Sequence, residues 1–261
     1  MFIDVHGITL GYDDVGTGIP VVLLHGFPFN RAMWSKEREA LSGGYRVITP
    51  DLRGFGRSSG TDKFSIGDLA DDVIGLLDQL SIKQAVIGGL SMGGYVALNL
   101  VRRYPERVLA LMLFDTKATA DSDEAKRNRN KVAAMVVKDG MQPLVDQMLP
   151  KLLDDQAGDV ARFLTYMMLA TNPRTAAAAS IAMGHRDDST PDLPAIKVPT
   201  IIVVGDDDKI TPPSESEAMQ LAIPFSRLVR IPHAGHVSNL EHPQAFAMAV
   251  HHFLDECFLQ K

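Results

Sequence analysis

The sequence predicts an α/β fold with a mostly parallel central sheet and helices on both faces. Two observations carry this. Continuous apolar runs alternate with amphipathic helical patterns, as in a sheet buried on both sides. One stretch, 118–195, breaks the alternation with helical patterns alone. A chain of 261 residues, 46% hydrophobic and 22% charged, is long enough to bury such a sheet without disulfide or metal staples.

The elements follow in order. Phe2–Val5 and Ile8–Tyr12 alternate and read as a hairpin about Gly7. Pro20–Leu24 is a continuous apolar run ending in His25-Gly26, and similar runs fall at 45–48, 84–87, 108–114, 200–204 and 227–231. Between them, Ile66, Leu69, Val73, Leu76, Leu77 and Leu80 recur at three- and four-residue steps, which predicts a helix over 65–80. Residues 92–103 continue from a Gly-rich turn and stop near Pro105; residues 243–256 open with Pro243, a good first helical residue. The stretch 118–195 reads as a helical insertion punctuated by Gly140, Pro143, Pro150, Gly158 and Pro173. Its methionines (135, 141, 148, 167, 168 and 183) read mainly as gap-fillers of a small core.

Composition excludes several classes. The single cysteine, Cys257, rules out an internal disulfide framework and cysteine-based metal centres. A net charge of -6 argues against a nucleic-acid partner, which wants a basic face. No apolar run reaches the ~20 residues of a membrane span. The N-terminus has an early acid and no basic stretch, unlike a signal peptide. The expectation is a soluble cytoplasmic protein. His251 and His252 are helix neighbours that point to different sides, so no shared metal is expected.

Four loops carry chemistry. Gly89-Leu90-Ser91-Met92-Gly93 is a G-x-S-x-G turn between a strand and a helix. Such a turn lifts a serine hydroxyl above the sheet, and small residues on either side let strand and helix pass closely. His25-Gly26-Phe27-Pro28 follows the strand at 20–24 and falls beside that turn in a parallel sheet. Phe27 N–H and Met92 N–H are the candidate oxyanion donors; Pro28 has no N–H to give. His25 reads as a loop-holding residue. After the strand at 200–204, Asp206, Asp207 and Asp208 compete as the acid that orients a histidine. After the last strand, His233 and His236 compete as the general base. Asp51–Ser58 contains Gly54-x-Gly56, but Ser59 replaces the third glycine of a dinucleotide loop, so its residues read as a locally hydrogen-bonded loop.

Together these loops resemble the α/β-hydrolase superfamily over essentially the whole chain, in the carboxylesterase and 3-oxoadipate enol-lactonase branch. The H-G-F-P loop is also similar to that of cofactor-free haloperoxidases and perhydrolases. The resemblance implies an α/β-hydrolase core over 1–117 and 196–261, with a helical cap over 118–195 inserted after the sixth strand. It implies Ser91 as nucleophile, His236 as base and Asp208 as acid, with Asp115 in reserve for the acid. Phe27 and Pro28 are then expected to face substrate. The expected activity is hydrolysis of a small or medium ester or lactone through an acyl-serine, with no cofactor and no metal. An enol-lactonase with a dianionic substrate would want a basic group, and the insertion offers Arg127, Arg129, Arg162, Arg174 and Arg186. A small-molecule receptor on the same fold is the contrasting reading.

Overall fold

The computed structural model describes residues 1–60, 63–154 and 158–259. Its sheet begins with the expected hairpin. The two-residue turn His6-Gly7 has positive φ at both positions, which matches the twist of the strands it joins. Those strands are β1 (Phe2–Val5) and β2 (Ile8–Val15). β2 runs three residues further than the alternation indicates, because its far half pairs with β4, Tyr12 opposite Pro50 through Val15 opposite Val47. The remaining strands are β3 (Ile19–Leu24), β4 (Tyr45–Pro50), β5 (Ala85–Leu90), β6 (Val108–Phe114), β7 (Thr200–Gly205) and β8 (Ser226–Ile231). The order across the sheet is β1-β2-β4-β3-β5-β6-β7-β8. From β4 through β8 all pairings are parallel. β5 and β7 are buried at every residue, which explains their unbroken apolar runs.

The helices are α1 (Ser35–Leu41), α2 (Ile66–Gln79), α3 (Met92–Arg103), α4 (Asp123–Asp139), α5 (Gln142–Leu152), α6 (Gly158–Ala170), α7 (Pro173–Gly184), α8 (Pro213–Ala222), α9 (Ser238–Glu241) and α10 (Pro243–Phe258). α2 starts where Ser65 and Asp68 form a reciprocal capping box, and it buries Ile66, Leu69, Val73, Leu76 and Leu77. α4 to α7 occupy the chain between β6 and β7, and the punctuating residues fall at their ends. Gly140 caps α4, Pro143 sits in the first turn of α5, Pro150 in its last, and Gly158 and Pro173 open α6 and α7. Met141, Met167, Met168 and Met183 are buried in the core, as gap-fillers should be. α1, α8 and α9 are short helices with no long amphipathic repeat to announce them. No helix among the described residues is long and apolar enough to cross a membrane.

This topology places the site. β3 is flanked by β4 on one side and β5 on the other, so the chain winds in opposite directions from it. The crevice at the carboxyl ends of β3 and β5 is such a switch point, where ligands bind in open α/β sheets. His25–Pro28 leaves β3 there and Ser91 leaves β5 there. Behind β6, Trp34, Phe114 and Phe246 stack with ring centroids 4.7 to 6.3 Å apart and lock α10 to the sheet.

One buried group fits the core poorly as an ion. Glu37 on α1 is buried beside Asn239, and burial, opposed by hydrogen bonding, pushes its carboxyl up to about 8 from an ordinary 4.5. The unfolded chain therefore holds fewer protons than the folded one between these values. The contribution of neutral Glu37 to stability is fully present below pH 4.5 and is lost as pH rises through about 8. Glu37→Gln should remove this loss. Thermal melts at pH 5 and pH 8 should show a smaller fall in Tm for the variant than for wild type; equal falls would show that Glu37 is not held neutral.

Candidate active site

The sequence Gly89-Leu90-Ser91-Met92-Gly93 forces β5 and α3 together. A Cβ on Gly89 would lie 2.1 Å from Gly93 O, and one on Gly93 would lie 2.2 Å from Leu24 O. Only glycine fits either place. Ser91 at the apex has φ 53° and ψ −111°, a strained conformation for a side-chain-bearing residue. The turn is held by its neighbours. Ser91 N–H donates to Phe114 O at 2.9 Å, and Ser91 O accepts from Gly94 N–H and from the Thr116 hydroxyl.

Ser91 Oγ–H points at His236 Nε2, 2.8 Å away. His236 Nδ1–H donates to Asp208 Oδ2, also at 2.8 Å. A carboxylate can only accept, which fixes the proton on Nδ1 and leaves Nε2 as the acceptor. Asp208 also accepts from Ile210 N–H, Thr211 N–H and Thr211 Oγ–H. Burial alone would raise the Asp208 carboxyl, but the adjacent His236 and these donors outweigh it and hold it below the usual carboxylate range. Burial would lower His236, but Asp208 outweighs that and holds the imidazole above its ordinary 6.5.

The competing residues are elsewhere. Asp206 pairs with Arg230, and Asp207 is exposed. His233 turns outward, and its carbonyl accepts from His242 Nε2. Asp115 is fully buried and bonds Gly205 N–H and Ser238, not His236. Among the described residues, one group has metal-ligand spacing: Asp154, Asp207 and His233 bring donor atoms within 4.8 Å of one another. Exposed acids commonly lie so without an ion, and these three sit off the Ser91–His236 line. His251 and His252 each pair with their own acid, Asp255 and Glu256.

The oxyanion candidates sit at the same crevice. Gly26 lies against Leu90: a Cβ there would be 2.9 Å from its side chain and 3.4 Å from its carbonyl oxygen. His25 holds this loop. Its Nδ1–H donates to Gly26 O at 2.9 Å, and its Nε2 accepts from Leu52 N–H at 3.0 Å, so burial keeps the ring neutral and its pKa lowered. That bond also ties in the Asp51–Ser58 loop, whose Asp51 accepts from Arg31 and Arg57 N–H groups. Phe27 and Pro28 are buried, and their peptide bond is cis.

Several residues of the site escape a reading of motifs. Thr211, three residues after Asp208, saturates its carboxylate. Glu241 accepts Gly235 N–H at 2.7 Å and Asp154 N–H at 2.8 Å, and His236 N–H donates to Leu152 O at 2.9 Å. Thr171 donates to Pro28 O at 2.8 Å. The helical segment thus holds both the base loop and the Phe27 loop. The Asp-x-x-Thr spacing of Asp208 and Thr211 is the one signal for these partners in the sequence.

Known proteins share this arrangement of elements. A family described as the alpha/beta hydrolase fold matches residues 19–243. A thermophilic esterase from Thermogutta terrifontis is 41% identical, with a TM-score of 0.96 over 98% of this chain and 99% of that one. The enol-lactonase from Burkholderia xenovorans is 30% identical, with a TM-score of 0.91 over 97% and 99%. A putative non-heme chloroperoxidase from Synechocystis sp. is 34% identical over 90% of this chain and 91% of its own length. With its eight-stranded sheet, its serine turn and this family match over most of its length, the chain belongs to the α/β-hydrolase fold family.

Proposed function

We propose that this chain is a serine hydrolase of small or medium carboxylic esters or lactones. The observation that carries it is the unbroken hydrogen-bond line from Ser91 through His236 to Asp208, 2.8 Å at each step. His236 Nε2 takes the proton of Ser91 as its Oγ attacks the acyl carbon. Asp208 keeps the imidazole oriented and balances the charge it gains. Phe27 N–H and Met92 N–H receive the developing oxyanion, each such donor being worth about 100- to 1000-fold in turnover. The alcohol leaves with the proton from His236, forming acyl-Ser91. Water then gives a proton to His236 as its oxygen attacks the acyl carbon, and His236 returns that proton to the departing Ser91 Oγ, releasing the acid. No cofactor enters any step. Residues 118–195 serve as the cap over the core, 1–117 and 196–261.

Three of the five arginines of the helical segment are tied to acids, which favours an uncharged acyl group. Arg129 and Arg186 both bind Asp121, and Arg186 also lies over the Tyr95 ring at 4.0 Å. Arg162 pairs with exposed Asp159, and Arg127 is exposed. A dianionic enol-lactone would want a guanidinium, and Arg129, Arg162 and Arg186 are each engaged with an acid. The esterase similarity at 41% identity supports the same choice over the enol-lactonase at 30%.

A second activity has specific support. The chain is similar to proteins named as putative non-heme haloperoxidases, and Pro28 directly follows the Phe27 oxyanion position. A Phe27 carbonyl turned to the acyl site would accept a hydrogen bond from peroxide that water uses less well. One such bond shifts the ratio of perhydrolysis to hydrolysis about tenfold at most.

Three outcomes are expected. Ser91→Ala and Asp208→Asn should each lower kcat/KM on p-nitrophenyl esters by about 10⁴-fold or more, while Asp206→Asn and Asp207→Asn stay within about threefold. Ester turnover by Ser91→Ala near the wild-type rate would refute the nucleophile, and absent turnover in wild type would favour a receptor. The base is active when unprotonated, and His236 is raised, so kcat/KM should climb with pH through a midpoint above 6.5. Removing the anion in Asp208→Asn should move that midpoint down; an unmoved midpoint would separate the limb from His236. Pro28→Leu should lower the ratio of peracid formation from acetate and peroxide to ester hydrolysis; an unchanged ratio leaves hydrolysis alone.

A further inference from the structure

Asp115 follows β6 directly, is fully buried, and takes no part in the chemistry proposed above. Its φ of 43° lies in the left-handed region, which a residue with a side chain occupies only where its surroundings hold it. They do. Asp115 N–H donates to Val203 O on β7 at 2.9 Å. Gly205 N–H, at the head of the turn that carries Asp208, donates to Asp115 Oδ1 at 2.9 Å. The hydroxyl of Ser238, two residues beyond His236, lies 2.6 Å from Asp115 Oδ2. One side chain therefore joins the segment bearing Asp208 to the segment bearing His236.

Taking Ser91, His236 and Asp208 as the reacting line, a reading on which this inference rests, we propose that Asp115 is a positioning residue. It clamps the acid turn to the base loop and so sets the Asp208–His236 contact. It does this as a neutral acid. The titratable groups facing it are Asp208 and His236; burial first and the Asp208 charge second push its carboxyl up to about 8. Two carboxylates beside one imidazolium in a dry site would leave an anion uncompensated. The proton belongs on the carboxyl with the fewer donors. Asp208 has three donors besides His236, and Asp115 has Gly205 N–H and Ser238. Protonated, Oδ2–H gives its bond to Ser238 Oγ while Oδ1 still receives Gly205 N–H, and both contacts persist without a charge.

An amide has the same shape and the same acceptor–donor pair as that neutral acid. Asp115→Asn, Asp115→Ala and Ser238→Ala should therefore separate the roles. The readouts are kcat and KM on a p-nitrophenyl ester, and the proton NMR signal and titration midpoint of the His236 ring. Asp115→Ala should lower kcat by about 100-fold with KM nearly constant, the scale of a misplaced reacting group. Asp115→Asn should recover kcat to within about threefold of wild type, and Ser238→Ala should lower it about tenfold, one contact of two being lost. The downfield Nδ1–H signal should persist in Asp115→Asn and weaken in Asp115→Ala, and the His236 midpoint should stay in place in Asp115→Asn.

The clamp is overturned if Asp115→Ala matches wild type in kcat and in the Nδ1–H signal. The neutral acid is overturned if Asp115→Asn falls as far as Asp115→Ala, or if its His236 midpoint drops by about one unit or more, the effect of removing a nearby anion. If Asp115→Ala does not fold, Ser238→Ala decides: an unchanged kcat and Nδ1–H signal would overturn the clamp. The ring signal reports geometry whatever the substrate, so an enzyme inactive on esters would refute the hydrolase reading and still test Asp115.

Discussion

Everything at the site depends on one steric constraint: β5 and α3 must pass so closely that no side chain fits at Gly89 or Gly93. That approach drives Ser91 to φ 53° and presents its hydroxyl at the carboxyl end of the central strand β5. It also leaves the first N–H groups of α3 unpaired within the helix, as at any helix start, and so open to an anion. The same packing presses Gly93 onto Leu24 and brings the loop after β3 alongside. The serine turn and the Phe27 loop are thus parts of a single packing event. A strained apex survives only where its surroundings over-determine it. Here Phe114 O, Thr116 Oγ and the turn of α3 supply that restraint.

His236 needs different support, because a loop histidine has many rotamers and a long reach. Its ring is fixed by Asp208, and its backbone by the helical segment. His236 N–H reaches Leu152 O at the end of α5, and Glu241 joins Gly235 to Asp154 just beyond that helix. The segment between β6 and β7 therefore does more than cover the sheet. It is wired into the backbone that carries His236, and through Thr171 into the Phe27 loop as well. Variation in these helices can alter the reacting geometry without touching any residue of the line.

The inner parallel strands were legible because burial on both faces writes a continuous apolar run, as in β3, β5, β6 and β7, while β1 and β2 were legible from their alternation. The G-x-S-x-G turn was legible because the constraint is local and only glycine meets it. Selecting Asp208 over Asp206 and Asp207 was not legible from spacing. The three differ only in which way a tight turn points them, and family resemblance had to choose. Thr211 left a local trace in its spacing from Asp208, but the bonds of Asp115 to Gly205 and Ser238 and of Glu241 to Asp154 left almost none, since those partners are brought near only by the fold. Their roles belong to tertiary structure: Asp115 meets Gly205 across ninety residues and Ser238 across one hundred and twenty-three.

The buried acids show what decides whether a carboxyl can be charged in such an interior. Desolvation is the largest influence on Asp208, Asp115 and Glu37 alike, and it pushes each toward the neutral form. What differs is the supply of donors. Asp208 receives two N–H groups, a hydroxyl and an imidazole, and it ends below the ordinary range. Asp115 receives one N–H group and one hydroxyl beside an existing anion, and it ends near 8. Glu37 has burial on one side and little but an amide on the other, and it ends near 8 as well. Donor supply thus favours the charge on Asp208, the carboxyl bonded to His236. A second anion there would compete for the same imidazole proton; a neutral Asp115, as proposed, leaves Asp208 as the carboxylate that the ring bonds.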